Sequence, residues 1–71
     1  ITMQELIKSE ITSCEVCIAN LKSEKDFIEK YTRNFQEQFE YHRMIWQMEK
    51  QKRLLEIQLF FLNFGSPLNL N

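Results

Sequence analysis

Phe27-Ile28-Glu29-Lys30-Tyr31-Thr32-Arg33-Asn34-Phe35-Gln36-Glu37-Gln38-Phe39-Glu40-Tyr41 holds neither glycine nor proline, yet its apolar spacing changes phase before the stretch ends. The same absence extends outward: no glycine or proline interrupts the chain from Ile1 to Phe64, and Gly65 and Pro67 are the first stops. The sequence therefore predicts an all-α protein with one long helix over residues 3–63 and a short non-helical C-terminal tail. Such a helix would be about 90 Å long at 1.5 Å per residue, too extended to enclose its own apolar stripe. Another helix must cover that stripe, in a coiled coil or a multi-helix bundle.

The stripe has two sections. Ile7, Ile11, Cys14, Ile18, Leu21, Lys25, Ile28, Thr32, Phe35 and Phe39 follow alternating steps of three and four, the spacing of a coiled-coil seam. Tyr41, Ile45, Met48, Lys52, Leu55, Leu59 and Leu62 repeat the alternation, displaced by one residue near 39–41. A one-residue shift turns the buried face by about 100°, so the two halves present different faces, as in a bundle whose helices meet several neighbours. The apolar members of both sections are the expected oligomer interface.

Phe27, Tyr31, Phe35 and Phe39 also stand at successive four-residue steps. Such rings crowd a two-stranded core and favour three or four helices. Lys25, Thr32 and Lys52 interrupt the seams. They either fix register and partner number or sit at an open edge where lysine reaches water. At the start, Thr2 and Glu5 have capping-box spacing. Ser23 and Asp26 repeat that spacing and offer an alternative, a hairpin or kink near 20–24. Beyond Leu55, Ile57, Leu59, Phe60, Phe61, Leu62 and Phe64 make the helix apolar on nearly every side, so that end should be covered all round.

With 71 residues the chain allows one structural unit, divided here into a helical segment, 1–64, and a tail, 65–71. A core this small needs support, and association is the expected source. The chain begins at Ile1 and not at Met, which suggests a piece of a longer protein. At 44% hydrophobic and 27% charged, the composition is that of a folded segment and not of a disordered tail. Residues 1–40 carry five basic and eight acidic side chains, a balance of −3, while the remainder carries four basic and two acidic, a balance of +2. This polarity suits the helix dipole and favours antiparallel pairing of two copies. The net charge of −1 gives no general attraction to nucleic acid, which is not an expected partner. The apolar run Leu59–Leu62 is far short of the roughly twenty residues of a membrane span. Two cysteines and no N-x-S/T acceptor point to an intracellular setting, cytoplasmic or nuclear.

Little in the sequence supports catalysis. Cys14 and Cys17 form one C-x-x-C pair, but His42 is the only histidine and too distant along a helix to complete a zinc site within one chain. We read the thiols as small hydrophobes of the seam, with an interchain disulfide or a metal shared between chains as alternatives. No cofactor is expected, and no enzyme. Tyr41 to Phe61 resembles a basic amphipathic target helix of the kind calmodulin-type receptors bind, with Trp46 as anchor and Arg43, Lys50, Lys52 and Arg53 beside it. The leading expectation is a structural, scaffolding module that oligomerises as a dimer or tetramer to join larger proteins. A subunit helix of a hetero-complex, or a target helix for a calmodulin-like receptor, is the alternative.

Overall fold

A computed structural model describes residues 1–64 of the chain. Among these residues the protein is all helical: α1 spans Met3–Tyr31 and α2 spans Phe35–Asn63, packed side by side as an αα-hairpin. The expected single helix over 3–63 is thus two helices of 29 residues each. The tail expected at 65–71 lies outside the described residues.

α1 starts where its sequence says. The Thr2 hydroxyl accepts from the Glu5 N–H at 3.1 Å, and the Glu5 carboxylate accepts from the Thr2 N–H at 2.9 Å, closing the capping box. Those bonds from Thr2, backbone first and hydroxyl second, hold the Glu5 carboxyl below its usual range. α1 then runs unbroken through Ser23 and Asp26, so the alternative kink near 20–24 is not where the chain turns.

The turn is Thr32-Arg33-Asn34. Thr32 leaves the helix at φ −137° and ψ 157°, while its N–H and hydroxyl both donate to the Ile28 carbonyl, at 2.8 and 2.9 Å. Asn34, at φ −85° and ψ 94°, caps α2 by accepting from the N–H groups of Gln36 and Glu37 at 3.1 and 3.2 Å. Neither residue needs positive φ, so the chain reverses without glycine or proline. Asn34 and Glu37 repeat the cap spacing of Thr2 and Glu5, and that is the local signal which marks the second helix start.

The hairpin puts the two apolar sections face to face. Ile7, Cys14 and Leu55 form the buried cluster, with Ile11, Met48, Leu59 and Leu62 packed against it, and Ile18 and Ile45 are buried further along. Both sections are therefore covered from within the chain as far as Ile28 and from Tyr41 onward. Thr32, Phe35 and Phe39, which continue the first section on paper, are exposed. The pair measures 55 × 23 × 12 Å, one helix thick, so every side chain that points away from the seam faces outward.

Candidate interaction surface

Two ion pairs cross between the antiparallel helices of the hairpin. Lys22 on α1 pairs with Glu49 on α2 at 3.6 Å, and Lys52 on α2 pairs with Glu15 on α1 at 3.3 Å. The Lys52–Glu15 pair follows the acidic-to-basic polarity of the sequence and the Lys22–Glu49 pair runs against it, and exposed pairs of this kind contribute only about 0–1 kcal/mol each. Lys52 and Lys25, whose side chains are 29% and 25% exposed, lie at the edge of the seam; Lys25 pairs with Glu29 one turn on. The edge position is the one anticipated for lysines that snorkel.

A third cross-link joins the helices nearer the turn, where the Tyr41 hydroxyl donates to Glu24 at 2.8 Å. That bond, with some desolvation, raises the Tyr41 pKa above the usual tyrosine value. A raised folded-state value means the contribution is complete below about pH 10 and is lost as pH rises through the folded value. Thermal melts of the wild type between pH 7 and 11 should show this loss, and Tyr41→Phe should remove that part of it. Parallel pH profiles for the two proteins would count against the bond.

Of the fourteen residues expected at an interface, Ile7, Cys14, Ile18, Ile45 and Leu55 are buried. Ile11, Leu21, Ile28, Tyr41, Met48, Leu59 and Leu62 are half-buried, while Phe35 and Phe39 stand exposed at the start of α2. The aromatic ladder is divided by the turn: Phe27 and Tyr31 stack at 4.7 Å on α1, and Phe35 and Phe39 begin anew on α2. Cys14 is buried, Cys17 is half-buried, and both thiols are free. His42 lines an open groove beside Lys22, Asp26 and Glu49.

The end of α2 is not enclosed by α1. Leu59 and Leu62 pack against the buried cluster and Phe61 is half-buried, but Ile57, Phe60 and Phe64 remain exposed, with Phe60 and Phe64 stacked at 4.6 Å. Trp46 is also exposed and carries the Lys50 ammonium 5.5 Å from its ring centroid. Sequence reasoning identified these side chains singly and missed that they share one face of α2. Among the described residues, no three His, Cys, Asp or Glu side chains gather as a metal ion would need, and no helix is long and apolar enough to cross a membrane. No known protein family, curated protein or solved structure matches the chain.

Proposed function

We propose that this hairpin is a structural oligomerisation module, a unit that associates with copies of itself, as dimer or tetramer, to join the larger protein or complex that carries it. The observation behind this reading is the mismatch between a small interior and a large apolar exterior. Among the described residues five side chains are buried and none is enclosed completely, while Phe35, Phe39, Trp46, Phe60 and Phe64 are all more than half exposed. A monomer rarely keeps so many large apolar groups in water, and a two-helix unit is marginal alone. No catalytic role belongs to this reading. It keeps the chain in the cytoplasm or nucleus, where two unpaired thiols remain reduced.

Sedimentation of the purified chain, with circular dichroism over the same concentrations, tests it. The expected result is a discrete dimer or tetramer whose helicity falls on dilution. A stable, fully helical monomer at all concentrations would overturn the reading. Weak helicity that becomes strong only with a different chain would replace it with a hetero-complex.

A further inference from the structure

The side of α2 that faces away from α1 carries its own stripe. Trp46 lies nine residues before Leu55 and Phe64 nine after, and nine residues are two and a half helical turns, so both stand opposite the buried seam. Phe35, Phe39, Trp46, Ile57, Phe60 and Phe64 are between 45% and 78% exposed. From Phe35 to Phe64 the stripe spans 29 residues, about eight turns at 3.6 residues per turn, so it stays on one side of a straight helix.

Its two ends read alike, while nearer the middle Ile57 mirrors His42. About the midpoint between Glu49 and Lys50, Phe35 mirrors Phe64, Phe39 mirrors Phe60, and Trp46 mirrors Arg53. A twofold contact between antiparallel helices requires this kind of self-complementary surface. We propose that two copies pair through this face, α2 against α2 in antiparallel orientation, with the twofold axis between Glu49 and Lys50. The proposal rests on the oligomerisation reading above and specifies its surface.

Charge and area both favour a second copy as the occupant. Antiparallel pairing brings Arg53 of each copy level with Trp46 of the other as a cation–π contact, while Glu49 keeps its pair with Lys22 of α1. Parallel pairing would set Arg53 by Arg53. The axis falls within one residue of the middle of Phe35–Asn63, so the two helices overlap along their whole length. Six apolar side chains at roughly 100 Å² each, with their flanking stems, would bury on the order of 1,200 Å² over both copies, the lower range of a specific interface. α1 does not obstruct this contact, because it occupies the opposite side of α2.

The test uses the full 71-residue chain. Light scattering should show the wild type as a dimer or a multiple of it, and Phe39→Asp should weaken dimerisation about 30-fold or more, as loss of a buried aromatic contact with a carboxylate in its place does. Its circular dichroism should stay helical, since Phe39 makes no part of the buried cluster. Orientation is read from Phe39→Cys and Phe60→Cys, each made with Cys14→Ala and Cys17→Ser, and oxidised singly and mixed. Antiparallel pairing gives a disulfide between the two variants when mixed and none within either alone, because two copies of position 39 would stand about 30 Å apart. A disulfide at position 39 in the single variant overturns the orientation. Unaltered mass in Phe39→Asp overturns the face and leaves oligomerisation standing. A monomeric wild type overturns both.

Discussion

Leu55→Asp is expected to abolish the helical circular dichroism of the chain at room temperature. Leu55 is buried in a cluster that joins the helices, against Ile7 and Cys14, with Ile11, Met48 and Leu59 around it. A carboxylate there would be desolvated with no cation in the cluster to pair it, at a cost of about 3–5 kcal/mol. That is comparable with the entire stability of a small domain, about 5 kcal/mol at the low end. Leu54→Asp, one residue away on an exposed site, should change the thermal midpoint little. Equal damage from both substitutions would mean that the seam does not run through Leu55.

Replacing the turn by alanine in Thr32→Ala/Arg33→Ala/Asn34→Ala should convert the hairpin into one continuous helix and the discrete assembly into a heavy, polydisperse one. The change removes the Asn34 cap, worth about 0.5–2 kcal/mol, and supplies the strongest helix former at all three positions. The fused helix cannot bury both seams against one neighbour. Ile28 and Tyr41 are 13 residues apart, about 1300° of rotation, which leaves the two seams roughly 140° out of phase. Each half would then recruit a different partner, and such contacts propagate instead of closing. Energy transfer between labels at positions 8 and 63, which line one groove in the hairpin, would fall as the separation grows to about 80 Å. Unchanged transfer and unchanged mass would show that the turn does not depend on these side chains.

The sequence carried the two seams and the first cap because both are local and periodic: Thr2 with Glu5, and three-and-four steps that the backbone converts directly into faces. It also registered a change of phase before Tyr41. The meaning of that change was harder to read, because a turn made with extended, negative-φ residues leaves no glycine or proline behind. Phe35 and Phe39 were assigned to the first seam since they continue its count, but a count loses its meaning once Thr32 leaves the helix. The outer stripe was obscured for another reason. His42, Glu49, Lys50 and Arg53 dilute it with polar groups, and only the position of α1 shows which side of α2 is already occupied.

Lys8 and Asn63 border one groove, so the chain arrives and departs at the same end while the Thr32–Asn34 turn stands about 44 Å away, the length of a 29-residue helix. Spliced into a surface loop of an unrelated carrier, residues 3–63 would therefore enter and leave through one doorway. The carrier's own strands or helices would not be pried apart, and the hairpin would project like a short mast with Phe35 and Phe39 near its tip.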